Sequence, residues 1–248
     1  MVSNTIHALL VLMALSLLTA CQQSDQDQQP SQKSAEHPVI EKTSAYTGAD
    51  IGPPTIDPNL AQQGKALYAQ NCIFCHQADA IGKPGTAPSL TNKEFLAIAP
   101  VKFLIGTIHD GRPGTGMPPF AHLGDKKIEA IVAFLRSHAT LPSQIEAANT
   151  EPHTQGDPEF GRVWFHQICS TCHGPNGDGY SAGGTGTAIG KAGFLDKATD
   201  GFIRETIKKG RSNTRMLGFQ GPAAMANLSD KEIDDIIAYL RTIPGNHQ

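Results

Sequence analysis

Several features that would assign this chain to other classes are scarce or absent. No long basic run occurs and the formal net charge is −3, which excludes an ordinary nucleic-acid-binding protein. Aromatic residues make up only 6% of the 248 residues, whereas Gly (25) and Pro (17) are frequent. A chain with few aromatic residues and many Gly and Pro residues can build only a small hydrophobic core. A small helical domain that wraps a large apolar cofactor fits this composition.

The apolar run at the N-terminus is too short to cross a membrane. It covers residues 8–18, whereas a spanning helix needs about 20 such residues. The run ends in Leu18-Thr19-Ala20-Cys21, which resembles a bacterial lipoprotein box, although residues 1–7 lack Lys and Arg. We therefore expect a signal peptide over residues 1–20 and a lipid on Cys21. The alternative is a plain signal peptide cut near Ala20, which would leave a free thiol.

A polar segment follows this signal. It is rich in Gln, Ser, Asp and Pro and poor in large apolar residues from Gln22 to about Ile56. Such a segment cannot bury enough surface to offset the entropy lost on ordering. We expect residues 21–57 to form a lipid-anchored flexible tether, and about 35 residues of coil span roughly 30–35 Å. The domains behind it could then reach a membrane-bound partner.

An internal repeat accounts for the rest of the chain. The sequence Cys72-Ile73-Phe74-Cys75-His76 has a counterpart in Cys169-Ser170-Thr171-Cys172-His173. In both copies a Gly precedes the first Cys by eight residues and an aromatic residue precedes it by four. Downstream, residues 111–117 and 210–216 each run from a Gly-Arg pair to a Met, and a Phe follows each Met by three residues. Two copies of one domain are expected, over residues 58–140 and 156–248, with a linker over residues 141–155.

Apolar periodicity predicts helices and no convincing strands, so we expect an all-α fold. The expected helices cover residues 58–71, 101–109, 125–137, 158–168, 201–209 and 229–242. Ser229 and Glu232 form a capping-box pattern at the start of the last helix. A small residue on the first helix of each copy should let an aromatic residue on the last helix approach. We expect two separate cores, one in each copy.

The C-x-x-C-H pattern is the attachment signature of haem c. Its two thiols add to the two vinyl groups of one haem, and the adjacent His is then held beneath the iron as a ligand. Without the His, C-x-x-C would indicate a dithiol or zinc motif. Because the full pattern occurs twice, inside one repeat and behind an export signal, it favours haem. The expected cofactors are two covalently bound haem c groups, held by Cys72, Cys75 and His76 and by Cys169, Cys172 and His173.

Each copy resembles a class I cytochrome c domain, and the pair resembles a di-haem cytochrome c of the bacterial envelope. The resemblance covers about residues 58–140 and 156–244. It implies that a Met on a loop before the last helix binds the other face of the iron, and Met117 and Met216 occupy that place. In the second copy Met225 also precedes the last helix and is the alternative ligand.

The resemblance also implies that a Pro carbonyl orients the iron-binding His, and Pro88 suits that role for His76. Residues 180–194 of the second copy are Gly-rich and contain no Pro. The carbonyl that orients His173 is therefore not identified from sequence. Ligation by two His residues is a further alternative, and the candidates are His109, His122, His138, His153 and His166.

A His/Met pair would leave no open position for oxygen, peroxide or another substrate. The resemblance therefore implies a periplasmic carrier of single electrons between a donor and an acceptor redox protein, with a membrane anchor and with no small-molecule substrate. One alternative is a haem enzyme, such as a di-haem peroxidase or a sulfur-compound dehydrogenase, in which one Met is absent or displaced. Another is an electron-transfer subunit of a dehydrogenase or oxidase complex.

Overall fold

The computed structural model describes residues 56–222, 224 and 226–243, and these residues belong to one compact unit. Helices dominate, and within these ranges the only strand-like pairing is an isolated bridge between Lys83 and Ala87. The all-α expectation is confirmed. Cys21, the expected tether up to residue 55 and Met225 lie outside the described residues. None of the helices within the described ranges has the length and apolarity that a membrane span requires.

The first repeat contains five α-helices. They are α1 (Pro58–Asn71), α2 (Ile73–His76), α3 (Lys93–Ile98), α4 (Val101–Asp110) and α5 (Asp125–Arg136). The side chain of Asp57 accepts a hydrogen bond from the Asn59 N–H at 2.8 Å, and Pro58 occupies the first turn, where its missing N–H costs nothing. The sequence-predicted start and end of α1 are therefore confirmed.

The second repeat follows a short helix that the sequence did not predict. The helices are α6 (Ile145–Thr150), α7 (Pro158–Trp164), α8 (Ser170–His173), α9 (Ala192–Leu195), α10 (Asp200–Lys209) and α11 (Asp230–Thr242). The predicted helix over residues 158–168 is α-helical only to Trp164, and a π-helical turn covers Phe165–Cys169. The capping box of Ser229 and Glu232 is confirmed, because both of its hydrogen bonds are present.

The first and last helices of each repeat cross at a glycine. A Cβ atom on Gly64 would lie 1.8 Å from the carbonyl oxygen of Ala130, so only Gly allows α1 and α5 to approach this closely. One turn further on, the rings of Tyr68 and Phe134 pack with centroids 5.1 Å apart. The second repeat has the same arrangement at Gly161, Asp235, Phe165 and Tyr239. The predicted small-residue crossing is confirmed in both repeats.

The expectation of two separate cores is wrong. Phe103 of α4 packs against Phe202 of α10 and Phe194 of α9, with ring centroids 5.0 and 6.0 Å apart, and Phe95 of α3 lies 6.2 Å from Phe202. One hydrophobic cluster contains buried residues of both repeats. The physical reason is that α3, α4 and α10 carry aromatic side chains that their own repeat does not cover. The two repeats therefore cover one another.

The segment expected to be a linker takes part in this packing. Ala148 of α6 is fully buried, and a Cβ atom on Gly201 of α10 would lie 1.9 Å from its carbonyl oxygen. Arg204 of α10 pairs with Glu151 after α6 and with Asp234 of α11. Part of residues 141–155 is thus fixed against the second repeat.

Candidate haem sites

The first C-x-x-C-H motif forms one tight turn at the end of α1. Cys72 ends α1, its carbonyl oxygen accepts the N–H of His76 at 3.0 Å, and α2 ends on that His. This turn brings both thiols and the imidazole to one short stretch of chain. Burial, with a smaller effect of Cys75, raises the pKa of the Cys72 thiol to about 11. Burial likewise raises the pKa of Cys169 to about 12 in the second motif.

The His76 ring is fixed by the residue that the sequence pointed to. Its Nδ1 lies 3.0 Å from the carbonyl oxygen of Pro88. When Nδ1–H donates to this oxygen, Nε2 carries no proton and is the atom available to iron. Burial lowers the pKa of His76 despite the opposing effect of this hydrogen bond, which favours the neutral ring that a metal requires. A Cβ atom on Gly82, at φ +79°, would lie 2.4 Å from the Pro88 carbonyl carbon. Only Gly therefore fits beside the carbonyl group that holds His76.

The second repeat uses Thr187 where the first uses Pro88. The Nδ1 of His173 lies 2.7 Å from the Thr187 carbonyl oxygen, and burial lowers the pKa of His173. A Cβ atom on Gly186 would lie 2.7 Å from the same Nδ1, so the chain can pass the ring only at a glycine. This contact explains why residue 186 is a glycine. Sequence reasoning missed Thr187, although a signal existed: Pro88 and Thr187 each precede a Phe-Leu pair by seven residues.

The loops that carry the candidate Met ligands have the same backbone geometry. In the first repeat the N–H of Arg112 donates to the carbonyl of Met117 at 3.0 Å, and the Met117 N–H donates to Thr115 Oγ1 at 3.2 Å. The second repeat has equivalent hydrogen bonds, at 2.7 and 3.0 Å, among Arg211, Thr214 and Met216. Both Met side chains are half-buried. The structure therefore places Met117 and Met216 at matching positions.

The histidines considered as alternative ligands make contacts of their own. His109 Nδ1 lies 2.6 Å from Asp110 Oδ1, and His138 Nδ1 lies 3.0 Å from the Phe134 carbonyl oxygen. The side chain of His153 is 97% exposed. The remaining two, His122 and His166, pack against the rings of Phe120 and Tyr239. None of these side-chain contacts involves a C-x-x-C-H segment.

The residues of both sites fit a haem. Each site offers two Cys thiols without a disulfide and a His whose Nδ1 is already engaged. In addition, Arg112 Nε and Arg211 Nη1 are buried without a hydrogen-bond partner among the described residues. Guanidinium N–H groups match carboxylates, and haem carries two carboxylates. The donor set and these unsatisfied groups are therefore consistent with two bound haems.

Comparison with known proteins agrees with this chemistry. The family model described as "Cytochrome C oxidase, cbb3-type, subunit III" matches residues 59–135, and the model described as "Cytochrome c" matches residues 159–244. The chain therefore consists in large part of two tandem c-type cytochrome domains. Two such domains imply two covalently bound haem c groups.

The chain is homologous to the CcoP and FixP subunits of cbb3-type cytochrome c oxidases. It is 30% identical over 189 residues to CcoP of Rubrivivax gelatinosus, which covers 74% of this chain and 55% of that relative. It is 24% identical over 217 residues to FixP of Bradyrhizobium sp. (strain ORS 278), which covers 83% of this chain and 70% of that relative. The chain thus spans little more than half the length of the first of these relatives.

One solved structure shows a more distant likeness. It is a chain of the reducing HAO-like protein complex of Kuenenia stuttgartiensis, with a TM-score of 0.45 and 19% identity. The match covers 73% of this chain and 96% of that one. A likeness this distant has no bearing on function.

Proposed function

We propose that this protein carries single electrons between a donor and an acceptor redox protein on the periplasmic side of a bacterial membrane. One observation supports this proposal above the others. Both repeats combine a His whose Nδ1 is bonded to a backbone carbonyl with a Met on an equivalent loop. Two such sites would give two iron centres with both axial positions filled. The relatives bear the names of oxidase subunits, so service as a subunit of such a complex is the second candidate.

The chain's own residues would act by holding and shielding the redox group. Haem supplies a one-electron couple when it is bound. The Pro88 and Thr187 carbonyls fix the tautomer and orientation of His76 and His173, which makes each imidazole a stronger ligand. Met117 and Met216 would present a soft thioether, which favours the reduced state and raises the potential. If His and Met side chains held each iron in this way, no position would remain for a substrate, and we infer that the protein has no catalytic role.

The remaining parts of the proposal concern placement in the cell. We propose that residues 1–20 are removed as a signal peptide, that Cys21 carries a lipid and that residues 21–57 tether the domains. The two domains would occupy residues 58–140 and 156–248. An anchored carrier of this kind would meet membrane-bound redox partners within the length of its tether.

Carbon monoxide binding tests the proposed ligand set. The reduced holoprotein should not bind carbon monoxide, because an iron with His and Met ligands has no open position. Met117→Ala should create one binding site per chain, and Met216→Ala should create one in the other repeat. Binding by the unaltered reduced protein would contradict the proposal and would favour a haem enzyme.

A further inference from the structure

The Met-bearing loop of the first repeat reaches across the interface into the second repeat. Arg112 Nη2 donates a hydrogen bond to the Ala188 carbonyl oxygen, and the guanidinium carbon lies 5.2 Å from the centroid of the Phe194 ring. The next residue, Pro113, is packed so closely that a Cβ atom on Gly193 would lie 2.8 Å from its Cδ. The side chain of Arg112, a residue of the first repeat, thus makes these contacts with the second repeat.

This contact ends next to the iron-binding His of the second repeat. Ala188 directly follows Thr187, whose carbonyl oxygen lies 2.7 Å from His173 Nδ1. The backbone N–H of Arg112 in turn donates to the Met117 carbonyl at 3.0 Å. Arg112 therefore joins the loop of one candidate iron ligand to the segment that orients another. A substitution of Arg112, which lies in the first repeat, can therefore affect the iron site of the second repeat.

No carboxylate of the described residues pairs with Arg112. Burial lowers its pKa to about 10, which still leaves it cationic at neutral pH. Among the described residues, the only group that opposes this shift is the Tyr180 phenol. Burial raises the pKa of Tyr180, so this phenol is neutral at pH 7. The Nε of Arg112 is also buried without a hydrogen-bond partner in the described part of the chain.

Arg211 occupies the equivalent place in the second repeat, but its surroundings differ. Its guanidinium carbon lies 5.5 Å from the Phe95 ring centroid of the first repeat, so it also crosses the interface. Here the Glu94 carboxylate opposes the loss of charge. Glu94 Oε2 accepts hydrogen bonds from both Oγ and N–H of Ser212, at 2.9 and 3.1 Å, which fixes the carboxylate near Arg211. Of these two arginines, Arg211 has a carboxylate nearby, whereas Arg112 has none that the described residues supply.

We propose that Arg112 is a positioning and tuning residue for the haem of the opposite repeat, and that it raises the reduction potential of the haem held by His173. This inference rests on the proposed presence of two redox-active haems. Reduction removes one positive charge from the iron, so a nearby buried cation favours the reduced state. The unpartnered Nε–H can also bind a haem carboxylate, and neutralising that anion acts in the same direction. An electron that reaches the first haem would then pass to the second, which is reduced as the first is reoxidised.

Redox titration of the holoprotein with optical detection tests this inference. Two one-electron waves should be present, and Met117→His and Met216→His assign them, because each replaces one thioether. Arg112→Met keeps the length and apolar character of the side chain but removes its charge. It should lower the midpoint potential of the second haem alone by about 59 mV. This shift corresponds to an about tenfold lower ratio of reduced to oxidised haem at a fixed potential. Arg112→Lys should retain most of the original potential.

The control is Arg162→Met, which removes an Arg of the same repeat as the second haem. The side chain of Arg162 is 55% exposed, so solvent screens its charge and both waves should stay in place. The inference is overturned if Arg112→Met lowers neither wave, lowers the wave of the first haem, or has the same effect as Arg112→Lys. If Met117→His and Met216→His move no wave, the proposed iron ligands are wrong. Arg112 is then still tested by whether its loss lowers one wave and leaves the other unchanged.

Discussion

Substitution of Gly186 should disturb the second haem site and leave the first unchanged. A Cβ atom there would lie 2.7 Å from Nδ1 and 2.8 Å from Cε1 of His173, and 3.1 Å from the Cys172 carbonyl oxygen. Gly186→Ala must therefore move Thr187 or tilt the ring, and the 2.7 Å hydrogen bond is lost or weakened. Overpacking of this kind costs about 1–3 kcal/mol, and the lost hydrogen bond adds about 1 kcal/mol. We expect a total destabilisation of about 2–4 kcal/mol.

The redox effect should have a definite sign. The hydrogen bond from Nδ1–H to the Thr187 carbonyl increases the basicity of the imidazole, which favours oxidised iron. Its loss should therefore shift the wave of the second haem to higher potential, while the wave of the first haem stays in place. Thermal unfolding and a redox titration of the same sample measure both effects.

Gly106→Ala is the matched control for this prediction. Its Cβ atom would meet only the flexible end of Lys197, at 3.3 Å, and Ala is a better helix former than Gly in α4. This variant should be as stable as the original protein or more so. If Gly186→Ala behaved like Gly106→Ala, with unchanged stability and unchanged waves, the described packing of Gly186 against His173 would be refuted.

Three further predictions concern the ligands, the pH response and the anchor. Met216→Ala should lower the potential of one haem, whereas Met225→Ala should change neither, and the reverse result would make Met225 the ligand. Asp200 is buried, but its hydrogen bond to the Thr154 N–H and its pairing with Arg241 outweigh burial and lower its pKa. Asp200→Asn should therefore cost about 1–3 kcal/mol at pH 7, and urea titrations should show this cost shrinking below about pH 4. Cys21→Ser should move the protein from the membrane to the soluble fraction, and unchanged fractionation would argue against a lipid anchor.

The sequence predicted local structure well wherever a local signal was complete. Asp57 followed by Pro58 gives both a cap and a preferred first turn, so the start of α1 follows from the sequence. Ser229 and Glu232 have the same effect for α11. By contrast, α6 has only six residues and no side-chain cap, so no periodic pattern indicates it. Packing against α10 stabilises α6, and the local sequence pattern does not indicate this tertiary contact.

The contacts between the repeats could not be predicted for a similar reason. Phe103 and Phe202 lie on helices whose apolar faces resemble ordinary core faces of a single domain. The spacing of the apolar residues does not indicate that these two faces pack against each other across the interface. The same holds for Arg112, because its role depends on Ala188, which is 76 residues away in sequence. Thr187 is a milder case, since the Phe-Leu register indicates its place once the repeats are aligned.

One experiment on the mature protein, which measures haem content and redox behaviour together, tests whether it has two closed electron-transfer sites. Intact mass spectrometry under denaturing conditions should show two haems that remain attached to one chain, because thioether bonds survive unfolding. Redox titration of the same preparation should give two one-electron waves, and the reduced form should not bind carbon monoxide. A mass with one haem or none, or a reduced iron that binds carbon monoxide without any substitution, would contradict the assignment of two closed electron-transfer sites.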